Sequence, residues 1–190
     1  MRYITSDTHF HHKNIILFEN GRRHFKDVEE MNETIVSNWN AVVTNNDTVY
    51  HLGDLGIAND TKILEVVSRL KGNIKLVPGN HDKTSLLKRL EALPNVEVMP
   101  LMFKEKHHKK IVYFTHYPVM LGSDRKNLFC LHGHIHAHET SFWNHLNVGV
   151  DADIAKHLPF GQPVPFDDVL SEMLSRFDHM ESSGLLGNKT

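Results

Sequence analysis

Cysteine is almost missing from this sequence: Cys130 is the only thiol in 190 residues. An internal disulfide is therefore excluded. The composition fits a reducing compartment, so a cytoplasmic setting is expected. Cys130 itself reads as a small buried apolar residue. No apolar run is long enough for a membrane span, and Met1-Arg2-Tyr3-Ile4 enters a strand without the apolar core of a signal peptide. Basic excess is lacking too: 21 Lys and Arg face 23 Asp and Glu, a net charge of −2, so no overall field advertises nucleic acid. Repeats, low-complexity linkers and composition breaks are absent. One domain over residues 1–180 is expected, followed by a flexible tail over 181–190. What the chain has in abundance is histidine, 16 residues, several clustered with Asp and Asn.

The first half reads β-α-β-α-β-α. Tyr3 to Ser6 is a short strand ending at Asp7-Thr8-His9. Asp27 and Glu30 look like an N-cap and its capping-box partner, opening a helix with the stripe Met31, Ile35, Val36, Trp39, Val42 and Val43. Thr48 to Leu52 is a second strand, ending at Gly53-Asp54-Leu55-Gly56. A helix over about 60–70 follows, with Gly72 as its stop. Ile74, Leu76 and Val77 form a third strand. Pro78 and Gly79 end it, and Asn80-His81-Asp82 share the turn before the next helix. After Pro94 the pattern turns strand-rich: 96–99, 101–103, 111–115, 129–131 and 146–151, with Lys104 to Lys110 as a charged hairpin tip. A final helix is expected over 167–180.

Each strand of the first half ends in a polar cluster, and ligand sites in open α/β sheets lie at that edge. Asp7 and His9, two apart, point to one side if the backbone stays extended. Glycines flank Asp54 and allow close approach to its carboxylate. Collected along the chain, the strand-end candidates are Asp7, His9, Asp54, Asn80, His116, His134 and His136. Four imidazoles, two carboxylates and an amide suit manganese, iron, zinc or nickel, and the lack of a second thiol argues against a zinc–thiolate site. Seven ligands exceed one ion but fit two ions sharing a carboxylate, with Asp54 the natural bridge.

Asp7-Thr8-His9, Gly53-Asp54, Gly79-Asn80-His81-Asp82, His116 and Gly133-His134-Ile135-His136 occur in the order and spacing of a known pattern. The sequence resembles the calcineurin-like metallophosphoesterase superfamily, in particular its small bacterial and phage-type members. The resemblance implies a four-layer α/β/β/α sandwich, two facing mixed sheets flanked by helices. It implies two divalent ions, Mn2+ first, with Fe2+/Fe3+, Zn2+ or Ni2+ as alternatives. One ion would lie on Asp7, His9, Asp54 and His136, the other on Asp54, Asn80, His116 and His134. His81 would donate a hydrogen bond or proton to the leaving oxygen, oriented by Asp82, while a metal-bridging hydroxide attacks phosphorus in line. The implied activity is phosphodiester hydrolysis on a cyclic or short nucleotide-type substrate. A phosphomonoesterase or nucleotide pyrophosphohydrolase on the same site is the alternative, and a non-catalytic scaffold the alternative of another class. No arginine follows Gly53-Asp54, which argues against a phosphoserine/threonine phosphatase.

His12 is a candidate contact to substrate phosphate, and Arg22 and Arg23 could grip phosphate bidentately. His51 and His132 read as hydrogen-bonding or core residues behind the ligands. Lys104, Lys106, Lys109 and Lys110 read as a solvated basic face.

Overall fold

Alternation along the first strands buries both faces. Tyr3, Val49, Ile74 and Leu76 belong to one core, while Ile4, Tyr50, Leu52 and Val77 belong to a second. A computed structural model of the chain describes residues 1–121 and 126–186. Its strands are β1 (Arg2–Thr5), β2 (Thr48–His51), β3 (Asn73–Leu76), β4 (Val96–Val98), β5 (Met102–His107), β6 (Lys110–Thr115), β7 (Leu128–His132), β8 (His145–Asn147) and β9 (Val164–Pro165). Its α-helices are α1 (Ile15–Phe18), α2 (Val28–Val42), α3 (Asp60–Val67), α4 (Thr84–Leu90) and α5 (Phe166–Ser182).

One sheet runs β4-β3-β2-β1-β9, with β1 to β4 parallel and β9 antiparallel to β1. The other runs β5-β6-β7-β8, antiparallel at β5–β6 and parallel beyond. These two mixed sheets flanked by helices match the expected sandwich. The first core lies between the five-stranded sheet and α2, α3 and α4, with Met31, Ile35 and Trp39 fully buried. The second lies between the sheets, where Phe114, Phe129 and Leu131 meet Phe166, Val169 and Met173 of α5. Asp27 caps α2, accepting from the Glu30 N–H at 2.8 Å, and the Glu30 carboxylate reaches back to the N–H of Lys26. Among the described residues no helix is long and apolar enough to cross a membrane.

Three local expectations need correction. Helix α3 stops at Val67, before Gly72, which instead adopts φ +92 between the helix and β3. The C-terminal helix reaches Ser182 and Leu186 is buried; 187–190 lie outside the described residues, so the expected tail is described only in part. The hairpin tip is shorter than the run of lysines: β5 and β6 pair from Met102↔Thr115 to His107↔Lys110, leaving only His108-Lys109 as the loop. The charges alternate rather than cluster. Lys104 and Lys106 face solvent on an edge strand, where lysine discourages sheet-to-sheet pairing, while Glu105 turns inward to accept from the Tyr50 hydroxyl at 3.0 Å.

His108 and Lys109 have φ 46 and 65, the left-handed pair that a two-residue hairpin requires. Neither residue favours it. Replacing them with Asn-Gly should stabilise the metal-free protein by about 1 kcal/mol, a rise of roughly 2–4 °C in Tm. A thermal melt with no rise would show that the strain is not in this turn.

Candidate metal centre

Three parallel strands of one sheet and two of the other end at the same site. The segments after β1, β2 and β3 carry Asp7–His9, Asp54 and Asn80–His81, and those after β6 and β7 carry His116 and His134–His136. The parallel ladder continues past the strands into the loops. Asp7 N–H donates to Gly53 C=O at 3.0 Å, His9 N–H to Asp54 C=O at 3.1 Å, and Phe10 N–H to Leu55 C=O at 2.9 Å. Asp7, His9, Asp54, His134 and His136 have φ between 51 and 72. Asp7 and His9 therefore converge through left-handed bends, not through the extended backbone that their spacing suggested. Such a conformation costs a non-glycine residue about 1–2 kcal/mol, and it recurs here where side chains must crowd into one space. Two glycines make that space: a Cβ on Gly79 would collide with the Asp54 carboxylate, and one on Gly133 with that of Asp7.

Three groups of side chains are each spaced to hold an ion: Asp7, His9 and His136; Asp54, His116 and His134; and Glu19, His136 and Asp151, which shares His136 with the first. Asp54 stands between the first two, and Asp151 of the third is already paired with Arg23. Its Oδ2 lies 3.7 Å from His9 Nε2 and 3.5 Å from His116 Nε2. Those separations are too long for hydrogen bonds and near the edge of about 3–3.5 Å that two ligands make on one ion with bonds of about 2.1 Å. His116 donates Nδ1–H to the Leu52 carbonyl at 2.8 Å, which turns Nε2 toward Asn80 Oδ1 at 3.0 Å and Asp54. An imidazole lone pair, an amide oxygen and a carboxylate facing each other repel unless a cation or a proton sits among them. His9 Nε2 is likewise buried without a hydrogen-bond partner. The donor set fits divalent ions, and the first two groups form a dinuclear metal-binding site. Asp7 is held from behind by the His134 N–H at 3.0 Å.

His81 projects from the turn after β3. Its side chain is 44% exposed, and its Nε2 lies 3.9 Å from Asp54 Oδ2. Its own N–H donates to Asp54 Oδ1 at 2.9 Å. Asp82 does not meet the His81 ring as expected. Its buried carboxylate accepts from the backbone N–H groups of Asp54 at 2.8 Å, Leu55 at 3.0 Å and Gly79 at 2.8 Å, so it ties the two ligand turns together. His12 does sit at the site, its Nδ1 3.3 Å from that of His9 and its ring 6.4 Å from His81.

Arg22 and Arg23 depart from expectation. Arg22 donates to the carbonyls of Val150, Ala155 and Leu158, and the fully buried Arg23 to Asp151 and to the carbonyls of Asp7 and Thr8. The Arg23 guanidinium is fully taken up by Asp151 and backbone carbonyls, and both terminal nitrogens of the half-buried Arg22 are turned to carbonyls and not to the ligand cluster. His51 behaves as a supporting residue. Its Nδ1 accepts from Gly53 N–H at 3.2 Å, so its Nε2–H donates to Thr8 Oγ1 at 3.0 Å, and the Thr8 hydroxyl passes on to Leu55 C=O at 2.9 Å. Burial holds that imidazole neutral, its pKa lowered to about 3. His132 is also buried and neutral, lowered to about 4 by desolvation.

Glu19 and Asp151 were not singled out from the sequence, yet both approach His136. Asp151 stood within an expected strand end just as Asp54 did, and that shared position was the available signal. For Glu19, which is brought in by tertiary approach, there was none.

Burial pushes the Asp7 carboxyl up to about 6. Burial opposes charge on His116 as well, but contact with Asp54 and the charge of Asp7 outweigh it and raise its pKa. Protons on both groups compete with ions. His116, raised above the ordinary imidazole range, takes its proton first, and Asp7 follows as pH falls through about 6, so loading should weaken about tenfold per pH unit for each proton displaced. Calorimetric titration with Mn2+ at pH 6, in two buffers of different ionisation enthalpy, counts those protons. Loading that is flat between pH 5 and 7 would contradict this.

Comparison with known proteins places the centre in context. Residues 3–184 match the family model described as calcineurin-like phosphoesterase. The uncharacterized protein MJ1445 of Methanocaldococcus jannaschii is 33% identical over 171 residues, which cover 83% of this chain and 84% of that protein. The gene 66 protein of Mycobacterium phage L5 is 37% identical over 84 residues, 42% of this chain and 39% of its own. The crystal structure of AQ665, a protein of unknown function from Aquifex aeolicus, superposes with a TM-score of 0.65 at 27% identity, covering 90% of this chain and 98% of that one.

Proposed function

We propose that this chain, which belongs to the calcineurin-like phosphoesterase family, is a two-metal phosphodiesterase acting on cyclic or short nucleotide-type substrates. We place it among the small bacterial and phage-type members, with the cytoplasm as its setting and a working domain that runs past the expected boundary at 180 to take in the end of α5 and Leu186. The observation that carries the reading is the Asp54 carboxylate, flanked at 3.7 and 3.5 Å by His9 and His116, with the exposed His81 ring 3.9 Å away on the solvent side. Asp7, His9, Asp54 and His136 would hold one ion, and Asp54, Asn80, His116 and His134 the other. Held by those residues, two divalent ions, Mn2+ first, would supply Lewis acidity and offset charge on the phosphoryl oxygens.

The protein's own contribution is orientation and proton transfer. Burial alone would push the Asp54 carboxyl up, but His116, the His81 N–H and His9 reverse this and hold it charged well below the usual range. His81 presents its imidazole to the leaving-group oxygen and donates a hydrogen bond or proton there as the ester bond breaks. Asp82 keeps the Asp54 and Gly79 turns in register, so that His81 and the ligands keep their mutual distances. His12, beside His9 and His81, contacts a non-bridging phosphate oxygen.

The test is turnover of bis(p-nitrophenyl) phosphate against p-nitrophenyl phosphate by metal-stripped protein supplied with Mn2+. Faster turnover of the diester supports the proposal. Faster turnover of the monoester replaces it with a phosphomonoesterase. No Mn2+-dependent turnover of either counts against catalysis on these esters and favours a scaffold.

A further inference from the structure

Resting on the reading that Asp7, His9 and His136 share an ion, we propose that the buried Arg23–Asp151 pair is the positioning device of that half-site. The two side chains are 0% and 1% exposed. Arg23 Nε donates to Asp151 Oδ1 at 3.1 Å, and Nη2 donates to Oδ2 at 2.7 Å. The same guanidinium reaches the other side of the site: Nη2 donates to the Asp7 carbonyl at 2.7 Å and Nη1 to the Thr8 carbonyl at 3.2 Å. Asp151 Oδ2 in turn faces His136 Nδ1 at 3.5 Å. One cation thus links the backbone of the first ligand segment to the side chain of the last.

Fixing His136 requires a partner on one ring nitrogen, because a ligand imidazole is oriented and its tautomer set by what its other nitrogen meets. Asp151 Oδ2 is the acceptor placed to become that partner: at 3.5 Å, with Glu19 Oε1 at 3.9 Å from the same Nδ1, it stops short of hydrogen-bond length, and Nδ1 is buried without a hydrogen-bond partner. With Nδ1 closing on Asp151, His136 Nε2 would be left for the ion. The segment carrying Asp151 is itself held. Arg22 grips the Val150 and Ala155 carbonyls at 2.5 and 2.9 Å, and Asn147 Nδ2 donates to the His136 and His138 carbonyls at 2.7 and 3.0 Å. A buried ion pair is a weak source of stability compared with apolar packing, so its presence here points to geometry. Arg23 also grips the Asp7 segment at its left-handed bend, φ 57, where the backbone needs outside support.

Two measurements on the full chain decide this. In wild-type protein loaded with Zn2+ and labelled with 15N at histidine, long-range 1H–15N correlation should show His136 protonated at Nδ1 and coordinated through Nε2. The reverse pattern overturns the proposal without any variant. Metal-stripped Asp151→Asn, titrated with Mn2+ by calorimetry, should lose 10–100-fold in affinity for one ion while the second ion binds as in wild type. Two ions bound at wild-type affinity would refute the pair's role, even if the variant's metal-free Tm has fallen. Wild-type protein that binds no ion sinks the underlying metal reading and the proposal with it. Wild-type protein that binds two ions but cleaves no ester leaves the proposal standing.

Discussion

Asp54→Asn should bind at most one Mn2+ in place of two and lose at least about a thousandfold in turnover, roughly 4 kcal/mol of transition-state stabilisation. The asparagine keeps shape, and its amide oxygen can still accept the His81 N–H that now reaches Asp54 Oδ1 at 2.9 Å. The backbone brace from Asp82 to the N–H groups of residues 54 and 55 is also untouched. What disappears is the anion between His9 and His116. Two cations placed a few ångströms apart repel strongly, and the shared negative charge is what offsets this in a low-dielectric site. The fold should therefore survive while the pair of ions does not. Elemental analysis after dialysis, read beside the rate, separates this from simple unfolding. Two tightly held ions in the variant would remove Asp54 from the bridge.

For His81→Ala the expectation is different: both ions retained, and turnover lowered about 10²–10⁴-fold. Its side chain faces solvent, and only its backbone N–H touches a ligand, so metal binding has little reason to change. The size of the loss should depend on the leaving group. An aryl oxide that is stable as an anion needs little proton donation, whereas an alkoxide needs it fully. The defect should be small on p-nitrophenyl esters and large on an alkyl diester. Equal defects on both would mean that His81 acts in binding the phosphate and not as the donor, and no defect on either would exclude it from the chemistry.

Legibility in the sequence followed a physical line. Strand-end clusters could be read because β1, β2 and β3 are short, apolar on both faces, and stopped by polar or glycine-rich turns. The converging residues Asp7, His9, Asp54, Asn80, His116, His134 and His136 were all candidates from that pattern. The partner of a side chain was not legible. Asp82 sits one residue from His81, and the family resemblance implied that it orients the imidazole, but three backbone N–H groups, those of Asp54, Leu55 and Gly79, claim the carboxylate. Arg23 lies on a loop near the site, and loop arginines suggest phosphate. Its partners, Asp151 and the carbonyls of residues 7 and 8, meet it only once the chain ends are brought together. Left-handed φ at Asp7 and His9 had no marker, since glycine and asparagine are its usual signals. The hairpin was misjudged because lysines on an edge strand look in sequence like a charged loop.

The left-handed bends have an evolutionary side. The ladder that carries Asp7, His9 and Asp54 is made of backbone bonds, which any side chain leaves intact. Glycine at the His9, His134 and His136 bends would relieve about 1–2 kcal/mol of backbone strain at each, whereas at Asp7 and Asp54 it would also strip the carboxylates that accept the His134 and His81 N–H groups. Selection for activity works against selection for stability at the three histidines. A lineage released from the need for catalysis should shed them early and gain stability as it does so. The surviving sandwich would then be a sturdier protein than its active ancestor, and the identities at positions 9, 134 and 136 would record the change.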